Sequence, residues 1–263
     1  MELRIYQIDA FTDSVFSGNP AAVVPLDYWL DEDILQSIAN ENNLSETAFF
    51  VPNNNEFDIR WFTPESEVEL CGHATLASAF VIFTYLDIKK HEIVFQTRFN
   101  AKLIVRRDSN GISMDFPIYK FGQCNPPQEL LDGLGVKPKE VFKGPDYLVI
   151  YDTEEEILSL KPDYSRLKLI PGRGVIVTAK AKKSREADFV SRFFCPKLGV
   201  PEDPVCGSAH CMLAPFWSKQ LGKAELIAHQ VSMRGGVIYC NIKDDRVELK
   251  GNAVKFMEGN ITF

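Results

Sequence analysis

Two cysteines stand in matching surroundings half a chain apart. Arg60-Trp61-Phe62-Thr63-Pro64 leads to Cys71-Gly72-His73-Ala74, and Arg192-Phe193-Phe194-Cys195-Pro196 leads to Cys206-Gly207-Ser208-Ala209. A block that recurs at half the chain length marks an internal duplication. Each cysteine precedes a glycine that opens a helix-like stretch, where unsatisfied backbone N–H groups and the helix dipole favour an anion. The amides of Gly72 and His73, and of Gly207 and Ser208, are therefore candidate holders of a carboxylate. The same positive end lowers the pKa of an adjacent thiol. A thiolate on one face of a carbon acid and a thiol on the other would form a two-base device for inverting a stereocentre. The competing role for Cys71 and Cys206 is that of small buried hydrophobes.

Other candidate groups lie close to these blocks. Glu46, in Asn43-Leu44-Ser45-Glu46-Thr47-Ala48, puts a carboxylate just before an apolar strand-like run. It is either a solvated strand-edge residue or a general acid/base at a partly dry cleft. Asp203 in Pro201-Glu202-Asp203-Pro204 is a turn residue by type, yet it belongs to the same helix mouth as Cys206. His73 is suited to binding a carboxylate or orienting Glu46. As metal ligands, Cys71 and His73 are two apart and should diverge on a helix, which leaves Cys206 with His210 as the best same-face pair. That is half a site, and no metal is expected.

These groups need elements to hold them. Strand-like alternation runs through Ile5–Phe11, Thr47–Val51 and Phe57–Phe62, and Asp31–Asn42 has helical spacing. From Gly72 to Leu86 every face is apolar or small, which predicts a helix buried on all sides, with a sheet curled around it. Cys206–Leu221 is its counterpart, and Pro215 inside it predicts a kink or an altered hydrogen-bond ladder. Three prolines between Pro117 and Pro127 suggest the junction of two halves. The expected organisation is α+β: two pseudo-symmetric domains, residues 1–117 and 118–263, each a mainly antiparallel rolled sheet around a central helix. The active site would lie between them, and the terminal strand 259–263 would return to the first. Gly133-Leu134-Gly135 and Gly172-Arg173-Gly174 lack the third glycine and the strand-to-helix context of a nucleotide-binding turn.

A formal net charge of −7 leaves no basic stripe for a phosphate backbone, so nucleic-acid binding is not expected. The amino terminus lacks the apolar stretch of a signal peptide, and the uncharged run Leu70–Leu86 falls short of the ~20 apolar residues that span a bilayer. A cytoplasmic location with no membrane partner is expected. The six cysteines contain no Cys-x-x-Cys pair and read as free thiols.

Taken in order, Phe11-Thr12 through Phe16-Ser17-Gly18-Asn19-Pro20, Asn43-Leu44-Ser45-Glu46-Thr47, Phe62-Thr63-Pro64 with Cys71-Gly72-His73-Ala74-Thr75, Glu202-Asp203-Pro204-Val205-Cys206-Gly207-Ser208-Ala209 and Arg234-Gly235-Gly236 span nearly the whole chain. Their order and spacing resemble the phenazine-biosynthesis PhzF-type isomerase family, which is similar in fold to diaminopimelate epimerase. The resemblance implies two similar domains, commonly a homodimer, and a biosynthetic isomerase acting by acid–base catalysis on a small carboxylate. It makes Glu46 the acid/base, with His73 and Asp203 in support and Ser45, Gly72, Gly207 and Ser208 near the substrate, and it implies no cofactor. The resembling epimerases place catalytic thiols where this chain has Cys71 and Cys206. A two-thiol epimerase or racemase of an amino or hydroxy acid is thus the enzymatic alternative, and a noncatalytic binding protein on the same fold is a third reading.

Overall fold

The computed structural model describes residues 1–86 and 90–263. The chain divides into two compact units, one formed by Met1–Asp115 with Lys250–Phe263 and the other by Phe116–Leu249. The segment that rejoins the first unit therefore begins at Lys250, well before the expected residue 259, and the second unit stops short of the expected 263.

In the first unit β1 (Glu2–Ala10) and β2 (Asn19–Pro25) form an antiparallel pair, and α1 (Glu32–Asn42) leads back to β3 (Glu46–Asn53), parallel to β2. The helix α1 stops where Asn43 enters the left-handed region and its N–H bonds back to Ala39. Strand β4 (Glu56–Phe62) runs antiparallel to β3 and to the short β5 (Glu67–Val68). Then come α2 (Gly72–Tyr85), β6 (Glu92–Thr97) parallel to β4, and the antiparallel β7 (Lys102–Asp108) and β8 (Gly111–Pro117).

The second unit repeats this plan. After β9 (Gly122–Gln123) and α3 (Gln128–Leu134), β10 (Glu140–Lys143) pairs antiparallel with β11 (Tyr147–Ile150). The helices α4 (Glu154–Ser159) and α5 (Tyr164–Leu167) lead to β12 (Val175–Lys180), parallel to β11. Strand β13 (Phe189–Cys195) is antiparallel to β12 and to β14 (Val200–Asp203). Helix α6 (Gly207–Leu221) precedes β15 (Glu225–Gln230), parallel to β13, which pairs with β16 (Gly236–Lys243) and is followed by β17 (Arg246–Gly251). The order of pairings from β11 to β16 matches that from β2 to β7, so the duplication inferred from short blocks extends through the topology. The last strand, β18 (Ala253–Thr262), lies along the full length of β1.

Both central helices are buried as their all-apolar faces require. In α2, His73 to Ala79 and Val81 to Phe83 are inaccessible, and in α6 so are Ala209 to Ala214, Phe216 and Trp217. The helix α6 runs unbroken through Pro215, so the expected kink does not end it.

The repeated arginines make equivalent contacts. Arg60 forms a two-pronged pair with Glu67 at 2.8 and 2.7 Å and covers the Phe62 ring, while Arg192 does the same with Glu202 at 2.8 Å on both prongs and with Phe194. Such forked pairs fix geometry as well as adding energy. They tie β4 to β5 and β13 to β14, the segments that deliver the chain to Cys71 and Cys206.

Candidate active site

The first unit builds its site at the start of α2. Cys71 is the N-cap, with extended backbone, and no side chain makes a cap hydrogen bond. Its carbonyl accepts from the Thr75 amide at 3.1 Å and the Thr75 hydroxyl at 2.6 Å, which anchors the first turn. His73 points from that turn toward β3, where Nε2 lies 3.1 Å from Oε2 of Glu46. The two atoms are buried and meet out of good hydrogen-bond alignment. The Glu46 side chain as a whole is 19% exposed, so its accessible part is not the oxygen facing His73.

The other ring nitrogen is also engaged. Nδ1 of His73 lies 3.1 Å from Nδ2 of the fully buried Asn19 and 3.5 Å from Sγ of Cys71. Cys71 and His73 thus converge rather than diverge. The divergence expected for residues two apart applies inside a helix, whereas Cys71 precedes the helix in extended conformation. Asn19 had no chemical signal in the sequence beyond a turn that ends in proline. Its placement depends on Gly18, at φ +68°, where a Cβ would stand 2.3 Å from the Ala10 carbonyl oxygen.

Burial opposes a charge on His73, but the Glu46 carboxylate beside the ring favours one, and the pKa is raised above the usual imidazole value. Burial, with Glu46 adding to it, pushes the Cys71 thiol up to about 11. Glu46, Cys71 and His73 each present one metal-ligating atom within 4.8 Å of the others. Imidazole binds a metal through one nitrogen, however, and here Glu46 approaches one nitrogen while Cys71 approaches the other. The arrangement fits a proton-bearing row better than a metal centre.

The second unit carries an equivalent helix mouth. Cys206 caps α6 in extended conformation, again without a side-chain cap, and its carbonyl accepts from Nδ1 of His210 at 2.7 Å. That bond uses His210 inward, so Cys206 and His210 do not form a ligand pair. Buried Gln230 clamps the approach: its Nε2 donates to the Asp203 carbonyl at 2.6 Å and its Oε1 accepts from the Cys206 amide at 2.9 Å. Nothing in the sequence distinguished Gln230 from any other strand glutamine. Asp203 and Ser208 are half-buried and Gly207 is buried. Sγ of Cys206 lies 3.3 Å from Oγ of Ser208.

The expectation of lowered thiol pKa values fails at both mouths. Burial, then the nearby Asp203, raises the Cys206 thiol well above its ordinary value. Taking a thiolate out of water costs more than the helix end returns.

The model of the PhzC-PhzF family, described as phenazine biosynthesis-like protein, matches residues 8–259. The chain belongs to this family. As a PhzF-family protein it is 51% identical to an uncharacterized isomerase of Pseudomonas aeruginosa over 261 residues, covering 99% of each chain. Its fold matches the crystal structure of a PhzF-family phenazine biosynthesis protein from Enterococcus faecalis with a TM-score of 0.96, at 44% identity and 100% coverage of both chains. A predicted epimerase from Pseudomonas aeruginosa, at 19% identity and with 99% of each chain covered, shares the fold with a TM-score of 0.71. The PhzF-family assignment supports an isomerase-type enzyme on an epimerase-like α+β fold. Among the described residues, no helix is long and apolar enough to cross a membrane.

Proposed function

We propose that this protein is a cofactor-independent isomerase that moves a proton on a small carboxylic acid, with Glu46 as the acid/base. The observation that carries this reading is the Glu46–His73 approach at the start of α2. His73 holds one carboxylate oxygen of Glu46 from within the fold. The remaining, accessible part of the group removes a proton from one carbon and returns it at another carbon of the same molecule. Between the two transfers negative charge develops on the substrate carboxylate or enolate, where the amides of Gly72 and His73 can receive it. Removing one such donor typically costs about 3 kcal/mol in the barrier. Ser45, directly before Glu46, is a further candidate for substrate contact.

The two-thiol alternative asks Cys71 and Cys206 to ionise. Both are buried and have raised pKa values, which favours packing roles for them. We further propose a cytoplasmic homodimer acting on small carboxylates, without nucleic-acid or membrane partners. The direct test of catalysis is incubation of the protein with pooled small carboxylic acids in deuterated water. Deuterium entering one acid at carbon supports the reading, and no incorporation across amino, hydroxy and unsaturated acids counts against it.

A further inference from the structure

The two halves share a topology but differ at the position of the base. In the first unit Thr47 faces Phe62 and Phe49 faces Arg60; in the second, Val175 faces Phe194 and Val177 faces Arg192. One residue back from Thr47 stands Glu46, and one residue back from Val175 stands Gly174. A Cβ at Gly174 would lie 2.7 Å from the Phe194 carbonyl oxygen and 2.8 Å from the Phe193 ring. No side chain fits there, so the second half has no carboxylate in the place of Glu46. One residue further back, Ser45 is matched by Arg173, and on the helix His73 is matched by Ser208.

These exchanged residues form a cluster of their own. Nε and Nη2 of Arg173 donate to the two carboxylate oxygens of Asp146 at 3.1 and 2.5 Å, and Nη2 also donates to Oγ of Ser208 at 2.9 Å. Asp146 is fully buried, whereas the Arg173 side chain is 36% exposed. Guanidinium has five N–H donors. The bonds to Asp146 and Ser208 occupy those on Nε and Nη2, which leaves Nη1 without a hydrogen-bond partner among the described residues. The charges of the pair offset each other at long range, but the positive end faces outward and the negative end is sealed beneath it. Ser208 is oriented in turn. Its oxygen accepts from a group that cannot accept back, so its own proton is available to Cys206 or to a ligand.

The approach to Arg173 is held firmly. Lys143 donates to the Pro171 carbonyl at 3.2 Å, and Lys197 donates to that of Ile170. The guanidinium also lies over the Phe193 ring, 5.5 Å from its centroid. A flexible surface arginine would lose side-chain entropy on gripping a ligand, and most of that cost is removed here in advance.

We infer that Arg173 and Ser208 form a carboxylate-binding seat in the second unit, Nη1 and the Ser208 hydroxyl being its donors and Asp146 its fixed backing. The ligand class is a small organic carboxylate. A guanidinium fork matches the two oxygens of that group, and a neutral amide cannot accept the same bonds at both positions. The inference rests on the proposed reading of the protein as an enzyme of small carboxylic acids. It assigns to this half the recognition of charge, as distinct from the movement of a proton.

The test is fluorine NMR titration of the full chain with 4-fluorobenzoate and with the neutral 4-fluorobenzamide. Wild type should bind the acid more tightly than the amide. Arg173→Met should lower affinity for the acid by roughly tenfold or more, the scale of a lost charge-assisted hydrogen bond, and leave the amide unchanged. Because Arg173→Met strands buried Asp146 and can unfold the unit, Ser208→Ala serves as the second variant: it keeps the ion pair and should weaken only the acid. Equal binding of acid and amide by wild type overturns the seat, as does unchanged acid affinity in a folded Arg173→Met or in Ser208→Ala. Deuterium exchange that depends on Glu46, found together with acid binding indifferent to Arg173 and Ser208, would refute the seat while leaving the proposed proton transfer intact.

Discussion

Oε2 of Glu46 lies 3.1 Å from Nε2 of His73, and among the described residues neither atom makes an aligned hydrogen bond. The carboxylate is thus held from behind by a buried imidazole whose other nitrogen faces Asn19 and Cys71. Each residue in this row has a measurable consequence.

The imidazole should report the carboxylate. His73 is expected to titrate above 6.5 in the folded protein, because the Glu46 carboxylate favours the charged ring against the effect of burial. Glu46→Gln removes that charge and should move the titration downward, as read by nitrogen–proton correlation spectra of the ring. A raised folded-state value means that the stabilising contribution is complete below about pH 6.5 and fades as pH rises through the folded-state value. An unmoved His73 titration in Glu46→Gln would show that the contact carries no electrostatic coupling.

The thiols should be inert. With Cys71 pushed up to about 11 and Cys206 well above its ordinary value, the folded protein at pH 7.5 should react with iodoacetamide at these positions far more slowly than the urea-unfolded chain, by about a hundredfold or more. Mass mapping of the labelled peptides checks this. Deuterium exchange should also survive when both thiols are removed, in the double variant Cys71→Ala with Cys206→Ala, which the two-thiol alternative does not allow.

His210 should make the fold acid-sensitive. Burial lowers its pKa to about 4, so the unfolded chain takes up a proton that the folded one refuses. Stability is then full above pH 6.5 and falls as pH drops toward 4, by about 3 kcal/mol from this group. Urea unfolding at pH 7 and pH 4 should show a smaller loss in His210→Leu than in wild type. Equal losses would remove His210 as the source.

The forked arginine pairs should matter more than surface ion pairs. Arg192 and Glu202 are only 12% and 16% exposed. Glu202→Gln is expected to destabilise the protein by roughly 1–3 kcal/mol, the range for hydrogen bonds to charged groups, as measured by urea unfolding. Arg4→Ala, which breaks the exposed pair with Glu258, should change stability by less than about 1 kcal/mol.

Much of this architecture was legible as pattern. The repeated Arg60 and Arg192 blocks announced a duplication, and the all-apolar faces of Gly72–Leu86 and Cys206–Leu221 announced helices buried on every side. The place of Glu46 at the head of a strand was readable, but its priority over Asp203 or the cysteines came from family resemblance. What sequence reasoning missed depends on tertiary burial or on local geometry. Thiol acidity was misjudged because burial cannot be read at one position. Cys71 and His73 converge because a cap residue lies outside the helical period. Arg173 stands in a Gly-Arg-Gly run that carries no nucleotide-binding signal, and only strand register aligns it with Ser45. The return of the chain from Lys250 was placed too late because β18, half exposed along its length, lacks the apolar signal of a buried strand.

The central claim, that Glu46 carries the proton, is tested most directly by the rate of carbon–deuterium exchange into the identified acid, comparing wild type with Glu46→Gln. Loss of an acid/base group predicts a fall of about 10²–10⁴-fold with the fold intact. Full exchange by Glu46→Gln at the wild-type rate would contradict the account.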